Sequence, residues 1–243
     1  MSGVIEEYTL TSKYTHQVYK IDIRKPEAFR TDNSYTLVFV ADGSYGVGRF
    51  LLDPANKIVV PSNCIIITIK HTGNKEKDRN RDFIPSDISK NGRNDYGQAS
   101  LFYLFIKDEL IPFVQHKFPN CRERDFIGHS LSGLFCIYLS FQQDHLFKHY
   151  YAISPSLWSN DFELMKIENE YSKYHNDLPA SISIYVGSLE IFNLIRFSIH
   201  GYISAIQRRN YKSLHLEYKV IKNMRHFTVR KPALELIMND LKN

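Results

Sequence analysis

The sequence predicts an α/β fold: a mostly parallel eight-stranded sheet, doubly wound, with helices on both faces and no separate large lid domain. Three observations carry this. Short β-branched and aromatic runs alternate with helical patterns from residue 35 onward, the alternation that builds a parallel sheet by crossovers. Two of the runs, Leu37-Val38-Phe39-Val40 and Ile65-Ile66-Ile67, are apolar without a break, as strands covered on both faces must be. The 243 residues, 43% hydrophobic and 23% charged, suffice for one buried core of this class, which excludes intrinsic disorder. Residues 1–243 are therefore read as a single domain.

The elements follow in order. Runs 6–11 and 16–23 alternate apolar and polar residues, as in an antiparallel edge. Runs 35–41 and 65–70 are interior strands, and the polar stretch 72–94 reads as a loop. A helix is expected over 98–117, with Leu101, Leu104, Phe105, Asp108 and Ile111 along one stripe. Pro112 should kink it, because proline lacks the N–H and its ring crowds the preceding turn. Strand 124–128 leads into helix 131–142, which is apolar nearly all round and must be central. Strands 150–154, 182–187 and 214–221 then alternate with helices 161–174, 192–209 and 232–241, the last with Pro232 in its first turn. The excursions at 72–94 and 159–179 could cover a site, but each is too short for a second domain.

Charge and cysteine content narrow the function classes. The net charge is +5, with an excess toward the C-terminus: residues 205–231 carry eight Lys/Arg and one acid, Glu217. Such a segment is either a solvated face or an attractor for an anionic ligand. No nucleic-acid-binding motif accompanies it, so a nucleic-acid partner is not expected. No run approaches the ~18 apolar residues of a membrane span, and residues 1–12 lack the basic start and apolar segment of an export signal. Cys64, Cys121 and Cys136 have no paired spacing, which fits reduced thiols in a cytoplasm. The expectation is a cytoplasmic protein acting away from membranes; its oligomeric state is not legible.

One segment carries a chemical signature. Strand 124–128 runs directly into Gly128-His129-Ser130-Leu131-Ser132-Gly133 and then an apolar helix, so Ser130 sits at a sharp strand-to-helix turn, a nucleophile elbow. Such a turn demands small residues at 128 and 132, and Gly128 and Ser132 meet that need. The G-x-S-x-G pattern is still broken, since its fifth residue is Ser132.

A serine hydroxyl needs a base that titrates near neutral pH, which selects histidine. His226 follows the last strand by a short loop and precedes the final helix, the place expected for the base in the order serine, acid, histidine. His129 adjoins the serine, and the turn should direct it elsewhere. The acid should leave the end of the preceding strand, which selects Glu190, with Asp177 and Glu170 as alternatives; a dyad of Ser130 and His226 alone is also open. Acyl transfer further needs amide donors for an oxyanion. One is the residue after the nucleophile, Leu131. The other lies in the loop after the third strand, Asp42-Gly43-Ser44-Tyr45-Gly46, whose glycines would let the Ser44 amide turn inward.

Several blocks in order resemble the Putative esterase family of α/β-hydrolases, which includes esterase D, the enterobactin-type siderophore esterases and the mycolyltransferases. They are Val40-Ala41-Asp42-Gly43, Arg79-Asn80-Arg81-Asp82-Phe83-Ile84-Pro85, Asp108-Glu109-Leu110-Ile111-Pro112-Phe113, Gly128-His129-Ser130-Leu131-Ser132-Gly133-Leu134, Ile153-Ser154-Pro155-Ser156-Leu157-Trp158, Val186-Gly187-Ser188-Leu189-Glu190 and His226. The resemblance spans roughly residues 16–242. It implies an α/β-hydrolase fold and places the oxyanion amide on Ser44, the nucleophile on Ser130 and the base on His226; the acid varies more within the family. It sets Arg79 and Arg81 in a loop bordering the active site, where either could meet an anionic substrate group or Arg81 could pair with Asp82. Trp158 becomes either an acyl-pocket wall or a core aromatic. Tyr45 and His129, neighbours of the two motif serines, join the candidate substrate contacts.

The expected activity is hydrolysis of a small carboxylic ester, with or without negative charge, through an acyl-enzyme and without metal or cofactor. A siderophore lactone is one candidate among aryl, short-acyl and carbohydrate esters. The alternatives are an acyltransferase or thioesterase on the same site, or a ligand-binding relative without catalysis.

Overall fold

The computed structural model describes residues 4–43, 46–87, 96–190 and 194–242. In β3 (Thr36–Val40), Leu37 and Phe39 pack on one face of the sheet while Val38 and Val40 pack on the other, all four buried. The same split recurs in β4 (Cys64–His71), where Ile65, Ile67 and Ile69 face one core and Cys64 and Ile66 the second. This is the period-two direction of strand side chains acting on continuous apolar runs.

Eight strands form one sheet in the order β1-β2-β4-β3-β5-β6-β7-β8. The edge strands β1 (Ile5–Thr11) and β2 (Val18–Arg24) are antiparallel, and β2 also pairs antiparallel with β4. All later pairings, through β5 (Arg124–His129), β6 (His149–Ile153), β7 (Ser181–Gly187) and β8 (His215–Ile221), are parallel. The mixed, mainly parallel sheet expected from the sequence is present.

Helices cover both faces. α1 (Val47–Leu52) and α8 (Arg230–Asp240) close the smaller core through Val47, Leu51, Leu234 and Ile237. The larger core takes α3 (Ala99–Phe105), α4 (Ile111–Lys117), α5 (Leu131–Ser140), α6 (Ser159–Tyr174) and α7 (Leu194–Arg209). All ten residues of α5 are buried, as its all-round apolar pattern requires. The three cysteines are buried and free. Among the described residues no helix is long and apolar enough to cross a membrane.

Two expectations are corrected. The stretch 72–94 is not simply a loop, because Lys75–Phe83 forms α2, capped by the Asn74 side chain on the amides of Glu76 and Lys77. Its inward face is Asp78, Arg81, Asp82 and Phe83, so an apolar-periodicity search passes over it. The long helix does not simply kink at Pro112. A single π-turn, Ile106–Leu110, separates α3 from α4, and Pro112 sits in the first turn of α4. The wider turn accommodates the missing N–H and the ring without ending the helix.

The strand order reverses between β3 and β5, with β4 on one side of this pair and β6 on the other. At such a switch point the loops leaving adjacent strands diverge and leave a crevice at the carboxyl edge. The loop after β3 and the turn after β5 meet there.

Candidate active site

Ser130 follows β5 with φ 63 and ψ −118. This left-handed angle costs an L-residue roughly 1–3 kcal/mol, and the surroundings hold it. The Ser130 amide donates to Ile153 O at 2.9 Å, and its carbonyl accepts from Leu134 and Ser156 amides at 3.0 Å each. A Cβ on Gly128 would lie 2.1 Å from Ser132 O, so strand and helix approach closely enough to exclude any side chain there. The Ser130 hydroxyl consequently stands at the carboxyl edge, with Leu131 heading α5. Its amide is among those that no intrahelical carbonyl can reach.

Three candidate residues converge although 96 positions separate the first from the last. His226 Nε2 lies 2.9 Å from Ser130 Oγ, and His226 Nδ1 lies 3.0 Å from Glu190 Oε2. Glu190 is buried, and its other oxygen accepts from the Gly187 amide and the Ser154 hydroxyl, each at 2.7 Å. The alternative acids lie elsewhere: Asp177 bonds Ser213, and Glu170 pairs with Lys173 on the surface. With Glu190 on Nδ1, the arrangement is a triad of side chains rather than a bare pair.

The His129 ring reaches the histidine loop. Its Nε2 donates to His226 O at 2.8 Å, and the two rings stand 4.7 Å apart. Burial, with the neighbouring His226 adding to it, holds its pKa well below the ordinary histidine value, which keeps the ring neutral.

The remaining candidates separate. Arg79 donates Nε to both Asp42 oxygens, at 2.9 and 3.1 Å, and lines the cleft beside Ser130. Arg81 does not reach the cleft: it is buried, with its guanidinium spent on Asp82 and Asp78. Asp82 also meets Tyr19 and His71, so Arg81 belongs to a buried network that anchors α2. Trp158 is 41% exposed, which removes it from the core, and it is not among the residues lining the cleft. Ser44 and Tyr45 lie outside the described residues.

The cleft over Ser130 has a volume of about 150 Å³ and is lined by His129, Phe227, Lys75, Arg79 and Arg230, with Asp42 the one carboxylate among the described residues. With Arg79 paired to Asp42, Lys75 and Arg230 leave the described lining with a positive excess. Of the basic segment 205–231, only Arg230 contributes to this lining among the described residues. The rest of that charge is partly spent in pairs such as Lys219–Glu217 and Arg209–Glu168. Sequence reasoning missed Lys75 and Phe227, and also Ser156, whose Oγ lies 3.2 Å from Ser130 Oγ. Ser156 stood in a motif block without a role, whereas Lys75 gave no signal at all.

Residues 12–228 match the family described as Putative esterase. The chain belongs to that family. It is accordingly an enzyme of the carboxylic ester hydrolase class. The chain is 28% identical over 199 residues to the Ferri-bacillibactin esterase BesA of Bacillus subtilis (strain 168), a match covering 74% of this chain and 69% of that protein. Among solved structures, the BES protein from Bacillus cereus superposes with a TM-score of 0.82 at 24% identity, covering all of this chain and 97% of that one. The siderophore hydrolase EstB from Aspergillus nidulans gives 0.81 at 19% identity, covering 98% and 94%. The last two likenesses establish a common fold.

Proposed function

We propose that this protein hydrolyses a carboxylic ester through an acyl-enzyme, with Ser130 as nucleophile, His226 as general base and Glu190 as the acid that orients it. The observation that carries the reading is His226 itself, whose two ring nitrogens lie 2.9 Å from Ser130 Oγ and 3.0 Å from Glu190 Oε2. A carboxylate on Nδ1 fixes the tautomer that leaves Nε2 free to accept the serine proton. Ser130 Oγ then attacks the ester carbonyl, and the oxyanion is met by the amides of Leu131 and Ser44. Collapse of the tetrahedral intermediate expels the alcohol, which His226 protonates. Water repeats the sequence on the acyl-enzyme and regenerates Ser130.

The substrate class follows from the cleft and the relatives together. Lys75, Arg79 and Arg230 beside an exposed Phe227 ring suit an ester bearing anionic, flat groups. BesA is named a ferri-bacillibactin esterase and a relative from Aspergillus fumigatus a siderophore triacetylfusarinine C esterase, and the reading here is a siderophore ester. A panel of esters differing in charge, acyl length and alcohol size, assayed with the parent and Ser130→Ala, tests it. The parent should favour anionic siderophore esters, and Ser130→Ala should lose up to about a millionfold in turnover. Retained turnover in Ser130→Ala refutes the mechanism, and a preference for neutral esters refutes the substrate class. An added alcohol acceptor yielding transesterified product would make the enzyme an acyltransferase.

A further inference from the structure

The elbow carries Ser132 where the G-x-S-x-G pattern has glycine. We propose that Ser132 and Asp42 form a latch that holds the oxyanion loop against the elbow, making both of them positioning residues for acyl transfer; this rests on the acyl-enzyme reading above.

Ser132 is fully buried, and its Oγ lies 2.9 Å from Asp42 Oδ2. The same oxygen accepts the His129 amide at 2.9 Å. His129 O lies equally near the hydroxyl, but the carboxylate is the stronger acceptor, because charge-assisted bonds are about twice as strong as neutral ones. Smallness alone does not explain the serine. It is bonded on both sides, and one of its partners, Asp42, comes from the loop after β3.

Asp42 is built to receive it. It follows β3 at φ 60, a left-handed angle that non-glycine residues seldom adopt, and it is 3% exposed. Its carbonyl accepts the Gly46 amide at 2.8 Å, which closes the loop upon itself. A Cβ on Gly46 would fall 2.6 Å from Asp42 Cβ, and one on Gly48 would fall 2.6 Å from Gly43 Cα. Gly46 thus packs against Asp42 and Gly48 against Gly43, with no room for a side chain at either glycine. A buried carboxylate is costly unless compensated, and Arg79 supplies the charge while Ser132 supplies the bond that crosses to the elbow.

The latch joins the two segments that carry the oxyanion donors named in the proposed mechanism. The Ser44 amide comes two residues after Asp42, and the Leu131 amide comes one residue before Ser132. One hydrogen bond, between residues 90 positions apart, therefore ties their two supporting segments together. An oxyanion hole works only when both donors sit within hydrogen-bond range of a single point, and loosening the latch lets that distance drift. Arg79 accordingly serves the loop first, since its Nε is committed to Asp42.

The test compares the parent with Ser132→Ala, Ser132→Gly, Asp42→Ala and the conservative Asp42→Asn, using p-nitrophenyl butyrate and a trifluoromethyl ketone whose hemiketal with the nucleophile carries the oxyanion. Ser132→Ala and Ser132→Gly should lower kcat about 10- to 100-fold, less than outright loss of a donor, with KM within about twofold. Inhibition by the ketone should weaken by the same factor. Asp42→Asn, which keeps a polar partner for Ser132, should recover most of what Asp42→Ala loses, and Asp42→Ala with Ser132→Ala should be no slower than the slower single variant. Should Asp42→Ala fail to fold, the two near-isosteric Ser132 variants decide alone. A fall in kcat below threefold in folded Ser132→Ala overturns the latch, as does a fall without matching loss of ketone inhibition. Labelling of the parent by a fluorophosphonate separates the two claims: no label on Ser130 ends the acyl-enzyme reading and the latch with it, whereas a labelled Ser130 with undiminished Ser132→Ala ends the latch alone.

Discussion

Glu190 meets His226 with one oxygen only: Oε2 lies 3.0 Å from Nδ1, while Oε1 is held by the Gly187 amide and the Ser154 hydroxyl. Both of those partners donate, so in Glu190→Gln the amide oxygen will remain at the Oε1 position and the NH₂ will face the imidazole. Nδ1 must then accept, which places the proton on Nε2 and, under the proposed mechanism, removes the base from Ser130. A fall in kcat of about 10³- to 10⁴-fold is expected, on the scale of the equivalent change in a serine protease triad, with the folded structure retained. Steady-state kinetics together with the far-UV spectrum check this; a loss under tenfold would show that Ser130 and His226 work as a dyad.

The contact between Gly128 and Ser132 sets a steric limit. A methyl group at 128 would stand 2.1 Å from Ser132 O and 2.5 Å from its carbonyl carbon, both backbone atoms that cannot swing aside. Gly128→Ala should cost about 3 kcal/mol or more. Gly201→Ala is the control: it lies inside α7, where the new Cβ meets only Met165 Cε at 3.7 Å, and it should gain about 0.5–1 kcal/mol from helix propensity. Thermal unfolding of the two variants should move in opposite directions.

Asp125, at the opposite edge of the sheet, governs a pH dependence of stability. Burial pushes its carboxyl up to about 7, with Glu123 and Asp240 adding to the effect against the His149 amide. The folded chain therefore retains a proton that the unfolded chain releases near pH 4. The associated stability is complete below about pH 4 and is lost as pH rises through about 7, amounting to roughly 4 kcal/mol at most. Asp125→Asn keeps an acceptor for the His149 amide, bonded at 3.1 Å to Oδ1, and carries no charge. Urea unfolding at pH 5 and pH 8 should show the variant gaining on the parent as pH rises; an unchanging difference would contradict the shift.

Much of this architecture is legible in the sequence because it depends on local pattern. The apolar runs at β3 and β4 and the all-apolar α5 announce interior elements, and the strand-turn-helix around Ser130 announces the elbow. The position of His226 after the last strand follows from chain order. α2 was illegible because its buried face is ionic, with Arg81 neutralised by Asp78 and Asp82 and Asp82 also bonded to Tyr19 and His71. Hydropathy registers such residues as solvent-facing, and only their mutual pairing permits burial.

By itself the chain determined the fold class and the elbow, and it singled out Ser130 and His226 as the residues proposed for acyl transfer, since these arise from steric and hydrophobic preferences over a few neighbours and from chain order. Tertiary structure alone decided which carboxylate stands behind His226, that Arg79 lines the cleft while Arg81 is buried, and that Lys75 and Phe227 join it. Those outcomes depend on contacts between distant segments, where a strand reversal between β3 and β5 and a few hydrogen bonds choose among side chains that look alike in one dimension.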